Sequence, residues 1–234
     1  MIKTESRSRH DRIIKFLSAL FLLRCLLNDA VFAKEYGPLV ANVTGESFAV
    51  SWISDLPSIG GVRVYQNNKL VGNYGDDRGK SYKYYTHHFT INNLRPMTSY
   101  SFSVVNGNVV NDNKGKYYKA STGPHLIGLG SVQPAGNVFL RDGRTIADGA
   151  LVYITLGVDG KRSALLSTRI DRNGYWFSEI VNARTDDNKN LFRISLAKGD
   201  IVIQVVGQEG IATLKSRIMD NKGGKNLYSP MILK

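Results

Sequence analysis

Beyond residue 33, apolar side chains recur at every second position, and no stretch carries the three-and-four spacing of an amphipathic helix. In the first half, Phe48, Val50 and Trp52 alternate with Ser47, Ala49 and Ser51, Val62 and Val64 with Arg63 and Tyr65, and Tyr100, Phe102 and Val104 with Ser99, Ser101 and Ser103. Such strands have one dry face and one wet face, which suits antiparallel sheets packed on one another. In the second half, Leu151 to Leu156 reads as a strand dry on both faces. Leu165 to Ile170 is its return, Tyr175-Trp176-Phe177 opens another strand, and Ile201 to Val206 is the strongest buried run. Asn67-Asn68, Asn111 to Gly115, Asp159-Gly160 and Asp171 to Gly174 supply the turn chemistry between them. The pattern predicts an all-β chain: two antiparallel β-sandwich domains in tandem, over 37–123 and 133–234. The glycine- and proline-bearing run 124–132 is the linker, and its Leu126, Ile127 and Leu129 predict a connector docked against its neighbours.

The first thirty-three residues stand apart. Lys3, Arg7, Arg9, Arg12 and Lys15 precede an apolar run from Phe16 to Leu23, and Val31 and Ala33 are small residues three and one before a cleavage point. This is the layout of a signal peptide helix, cut after Ala33 to leave Lys34 first. A retained membrane anchor is the alternative, but Lys15 and Arg24 bracket only eight residues, against roughly 20 for a span. A lipoprotein at Cys25 is disfavoured by Arg24 before it. The chain has 234 residues and a formal charge of +12; losing the leader removes six Lys/Arg and three Asp/Glu and leaves +9. Cys25, the only cysteine, goes with it, so the mature chain has no disulfide, cysteine-ligated zinc or cysteine nucleophile. Export without disulfides points to a bacterial source and to a secreted, periplasmic or cell-surface location.

Two local signatures carry resemblances. Ser47 to Trp52, with its tryptophan, and Leu94-Arg95-Pro96-Met97-Thr98-Ser99-Tyr100 resemble the B strand and the L-x-P-x-T-x-Y corner of a fibronectin type III domain, over about 37–123. The resemblance implies a buried Tyr100 ring with its hydroxyl on nearby backbone, and an altered turn at Met97, where glycine is usual. Gly136-x-Val138, Asp142-Gly143, Asp148-Gly149-Ala150-x-Val152 and Asp171-x-Asn173-Gly174-x-Trp176 resemble a carboxypeptidase regulatory-like, prealbumin-like sandwich over about 133–233. That family's module is an accessory domain, so the resemblances imply exported surface proteins with no catalytic domain left over.

His87 and His88 are neighbours on a predicted strand, point to opposite faces and do not readily share a metal; His87 shares its face with Phe89 and Ile91 and reads as a buried, hydrogen-bonded histidine. No H-x-x-E, H-E-x-x-H or G-x-S-x-G occurs. Gly75 to Ser81 has three residues between its glycines where a phosphate loop needs four, and reads as a solvated sheet loop. Asp171-x-Asn173-Gly174 has only Glu179, beyond a strand, as a further calcium ligand, and reads as a hairpin. Lys198-Gly199-Asp200 reads as the turn before the Ile201 strand. Asn42-Val43-Thr44 is a glycosylation sequon only in a eukaryotic source. No catalytic, metal or cofactor residue is assigned, and the chain is read as a non-enzyme.

One surface stands out. Arg78, Lys80, Tyr82, Lys83, Tyr84 and Tyr85, with Lys116 and Tyr117, mix cations with rings that stack on sugars. The expected partner is protein or anionic polysaccharide at the cell surface, with no nucleic acid, and with membrane contact only through an uncleaved leader. The expected function is a structural, adhesion or assembly module at the cell envelope or outside the cell. The alternative is a carbohydrate-binding protein that uses this tyrosine-rich basic surface.

Overall fold

A computed structural model describes residues 38–79, 81–221 and 227–234. The leader, its cleavage point at Ala33, and Lys80 lie outside the described residues. Among the described residues the regular structure is all β-strand, sixteen strands in four sheets.

The first sandwich packs a small sheet on a larger one. The small sheet runs β1 (Leu39–Ala41), β2 (Phe48–Ser58), β5 (Tyr84–Ile91). The larger has the order β4 (Lys69–Gly75), β3 (Gly60–Gln66), β6 (Ser99–Asn106), with β7 (Val109–Asn111) and β8 (Tyr118–Ser121) sharing the far edge of β6. The period-two pattern is realised: Phe48, Val50, Val62, Val64, Phe89, Phe102 and Val104 are buried in one core. Trp52 lies nearly parallel to Phe89, centroids 4.8 Å apart, and its Nε1 donates to Asn106 Oδ1 at 2.8 Å. His87 stacks on the same indole at 4.8 Å. Gly60 is required there, because a Cβ would drive into the rings of His87 and Phe89. Tyr100 is buried and its hydroxyl accepts the Arg95 N–H at 2.8 Å, the corner that the L-x-P-x-T-x-Y run implies.

The second sandwich joins β9 (Ala135–Phe139), β13 (Tyr175–Phe177) and β16 (Tyr228–Ile232) in one sheet. The other holds β10 (Leu151–Val158), β11 (Lys161–Arg162), β12 (Leu166–Arg169), β14 (Asp200–Gly207) and β15 (Gly210–Arg217). Val152, Ile154, Ile201, Ile203 and Val205 meet Trp176 and Val138 in its core. Every strand pairing is antiparallel except that of β16 with β9, which is parallel. The glycine- and lysine-bearing composition near the end of the chain carries no signal for that crossover.

The connector is docked. Gly128 N donates to Asn182 Oδ1, Val132 N to Glu179 Oε1, and the buried Arg184 reaches the carbonyls of Pro124 and Leu126 through Nη2. Leu129 and Ile127 nevertheless point to solvent, so backbone and charge hold the connector, not the apolar side chains in which the sequence showed it.

Met97 has φ 48°, in the left-handed region that costs a side-chain-bearing residue about 1 kcal/mol. The side chain is largely exposed, and its N–H bonds to Gly123 O at 3.0 Å. Met97→Gly is expected to raise stability by up to about 1 kcal/mol in urea denaturation, part of the gain being cancelled by glycine's greater freedom when unfolded. A loss of stability would count against the strained turn.

Candidate functional site

The polar side chains that the sequence leaves without an assignment converge where the two sandwiches meet. β5 has a dry inner face, with His87, Phe89 and Ile91, and its outer face carries Thr86 and His88. On a lone sandwich that outer face would be wet. Here Thr86 is 6% and His88 6% exposed, because the β10–β12–β14 sheet of the second sandwich covers it. Leu151, Tyr153 and Val206 pack there against Leu39, Ile53, Leu165 and Ile211.

A buried sheet-to-sheet contact must pair its polar groups, since an unpaired one costs about 1–3 kcal/mol. Asn42 does this with both ends of its amide: Nδ2 donates to Ser167 O at 2.7 Å and Oδ1 accepts Ser167 N–H at 2.8 Å. Its own N–H donates to Leu165 O at 3.0 Å. The sequon asparagine is thus a clamp between the sandwiches, and its amide nitrogen is engaged. Thr86 Oγ1 donates to Gly149 O at 2.7 Å. Ser51 and Tyr153 hydroxyls share a bond of 3.0 Å. Burial pushes the Tyr153 phenol up to about 12, against the opposing pull of Ser51, so it stays protonated.

His88 lies at the centre. Its Nδ1 is 2.7 Å from Asp77 Oδ2, and its Nε2 is 2.9 Å from Ser167 Oγ. The carboxylate fixes the proton on Nδ1, so Nε2 accepts from the serine. Acid, imidazole and hydroxyl therefore stand in the order used for nucleophilic catalysis. Ser167 is only 4% exposed, however, and faces the first sandwich from β12. The row ties one sandwich to the other, with Asp77 and His88 on one side and Ser167 on the other.

Asp76 organises the adjoining loop. It is 6% exposed, and its carboxylate accepts from Arg78 Nε at 2.9 Å, from Arg78 Nη2 at 3.1 Å and from the backbone N–H of Arg78 at 3.0 Å. His87 Nδ1 lies 3.5 Å from its Oδ2. Burial raises the Asp76 carboxyl, but the contacts with His87 and Arg78 outweigh it and hold it well below the usual carboxylate range. Asp77, Gly79 and Ser81 are exposed, as the reading of a solvated loop expects, but the Asp76–Arg78 ion pair is withdrawn from solvent and folds against β5.

The residues of the tyrosine-rich basic surface are divided by this loop. Arg78 is not a surface cation. It bonds Asp76 and the Thr86 carbonyl, sits over the Tyr84 ring at 3.5 Å, and lies against the second sandwich where Gly149, at φ 75°, has no Cβ to block it. Lys80 lies outside the described residues. Lys83, Tyr84 and Tyr85 line a groove of about 290 Å³ between the sandwiches, opposite Asp148 and Glu209. Tyr82 is 64% exposed beside Tyr84, centroids 6.4 Å apart. Lys116 and Tyr117 are not brought to this groove. Tyr117 meets Tyr65, five positions along β3 from the turn that follows β2, on the other sheet. Of the calcium-like residues, Glu179 holds the connector: burial raises its carboxyl, and bonds from Ser131, Val132, Val181 and Gln133 bring it below the usual range. Asp171 accepts the N–H groups of Asn173 and Tyr175 within its own turn.

No family model matches the chain, and no curated protein does. Among solved structures, it is similar to the FN1–FN3 domains of chicken CNTN1 at 8% identity and TM-score 0.28, covering 79% of this chain and 65% of that one. It is also similar to pullulanase type I from Bacillus subtilis in complex with maltose at 9% identity and TM-score 0.20, covering 76% of this chain and 24% of that one. The chain thus spans less than two thirds of either structure. These likenesses say nothing of activity, ligand or partner.

Two outcomes follow from the interface. His88→Ala and Ser167→Ala should each lower stability by about 1–2 kcal/mol, since each leaves a buried polar atom unpaired; unchanged urea midpoints would show that the row is idle. Asp76→Asn should cost about 3 kcal/mol at neutral pH, because it leaves Arg78 without its charge partner. As the folded carboxyl is held down, its contribution is full above the ordinary range near pH 4 and is lost as pH falls below it. Wild type should therefore lose stability in acid more steeply than Asp76→Asn, and parallel pH profiles would rule this out.

Proposed function

We propose that this chain acts without catalysis, as an exported two-sandwich module that serves structure, adhesion or assembly at the cell envelope or outside the cell. The observation that carries the reading is the sealed contact between the sandwiches. Asn42, Ser51, Thr86 and His88 on one side bond Ser167, Tyr153 and Gly149 on the other. A tandem locked in this way is a stiff unit that presents its remaining faces at fixed spacing, as a scaffold requires. The fibronectin type III resemblance of 37–123 and the carboxypeptidase regulatory-like resemblance of 133–233 agree with an accessory role. The leader ending at Ala33 and the basic mature charge agree with export toward anionic envelope material.

Fractionation of source cells, with N-terminal sequencing and in-cell cross-linking, tests it. The expected result is an exported chain beginning at Lys34, cross-linked to a discrete envelope component. An intracellular pool with an intact leader would overturn the reading. So would labelling of Ser167 by a serine-directed fluorophosphonate, because it would make the Asp77–His88–Ser167 row reactive.

A further inference from the structure

The second sandwich covers the β1–β2–β5 sheet, and the outer face of the β4–β3–β6–β8 sheet is left free of that contact. On it, Tyr65 of β3 stands beside Ser101 of β6, which stands beside Lys119 of β8; one step along, Arg63 stands beside Ser103. Tyr65 and Tyr117 reach toward each other, centroids 5.1 Å apart and planes at 65°. The β6 positions beside them are serines, short enough to let two rings meet above the sheet. Ser103 alternates with the core residues Phe102 and Val104 and so belongs to this outer face, yet it is fully buried, and its Oγ has no partner among the described residues.

Two further properties set this face apart. The hydroxyls of Tyr74, Tyr100 and Tyr118 in the same sandwich are engaged by Asn92, Arg95 and Asn111. Those of Tyr65 and Tyr117 bond nothing among the described residues. The side chains of Arg63 and Lys116 are likewise exposed and without a carboxylate partner there. The acid nearest Lys116 in sequence, Asp112, accepts the N–H of Gly115 inside its own turn. In the groove between the sandwiches, by contrast, Arg78 occupies a face of Tyr84 and acids stand opposite.

From these observations we infer that the Tyr65–Tyr117 pair, flanked by Arg63 and Lys116, is a docking face for an anionic polysaccharide. Sugar rings pack on the open tyrosine face, their hydroxyls bond the free phenols, and the two cations meet carboxylate or sulfate groups. The 65° tilt turns the edge of one ring to the other, so the pair does not offer the parallel open faces on which successive bases stack. The inference rests on the envelope reading above and names its partner class.

Binding of the full mature chain to polygalacturonate and to heparin, with neutral dextran and single-stranded DNA alongside, tests it. Both anionic glycans should bind, more weakly as salt is raised, and dextran should not. Arg63→Glu with Lys116→Glu should weaken binding by about tenfold or more, and Tyr117→Ala by about tenfold. Tyr117→Phe, which keeps the ring, should weaken it less, and Tyr84→Ala should leave it unchanged. Unaltered thermal midpoints separate these losses from misfolding. No binding to either anionic glycan, no loss in the double variant and Tyr117→Ala, or a loss in Tyr84→Ala alone would overturn the assignment. Equal or tighter binding of DNA through the same residues would make the face a nucleic-acid surface instead. Failure here, with the exported chain still cross-linked to an envelope component, refutes the face and leaves the function proposed above intact.

Discussion

The outer face of β5 is dry at Thr86 and His88, and much of the structure depends on that. A strand buried on one side alternates apolar with polar residues, but β5 presents Thr86 and His88 to a second hydrophobic layer. Polar groups in that position are tolerated only with partners. The partners come from the other sandwich, as Gly149 and Ser167, and from the loop before β5, as Asp77. The position of the 76–79 loop, the burial of Arg78 and the need for glycine at 149 all follow from closing that layer. Removing one partner leaves the others charged or unsatisfied, so the residues of this contact stand or fall as a group.

Much of this architecture is legible in the sequence, for physical reasons. Period-two alternation locates β2, β3, β6 and β14, because burial of one face leaves that imprint. Asn67-Asn68 and Asp159-Gly160 sit at hairpin turns with positive φ, where their chemistry belongs. The corner tyrosine is local: Tyr100 bonds a backbone group five residues away. The interface is not legible. Asn42 and Ser167 are separated by 125 residues, and nothing near either one marks it as half of a clamp. The sequon at Asn42 points instead to an exposed amide. A buried Asp76–Arg78 pair and a solvated one are spelled identically, so Gly75 to Ser81 reads as a loop in water.

The candidate binding surface divides along the same line. Tyrosines and lysines adjacent in sequence draw attention to 78–85, yet β-sheet neighbours come from distant strands. Tyr65 and Tyr117 are 5.1 Å apart in space and 52 positions apart in the chain. The signal that could have found them is the pair of serines at 101 and 103 on an outward register. Small polar side chains in mid-sheet leave space that larger neighbours fill.

The parallel pairing of β16 with β9 bears on how the second sandwich is made. β9 is the first strand of that sandwich to emerge during synthesis, and one of its two partners is Tyr228–Ile232, more than ninety residues later. Until then one edge of β9 is open and Trp176 lacks the stacked ring of Tyr228. Contacts of such long sequence separation form slowly, since a large loop must close before they stabilise anything. A nascent chain therefore remains loose over this half until Tyr228–Ile232 has been made, and only then does the second sandwich set into its final shape.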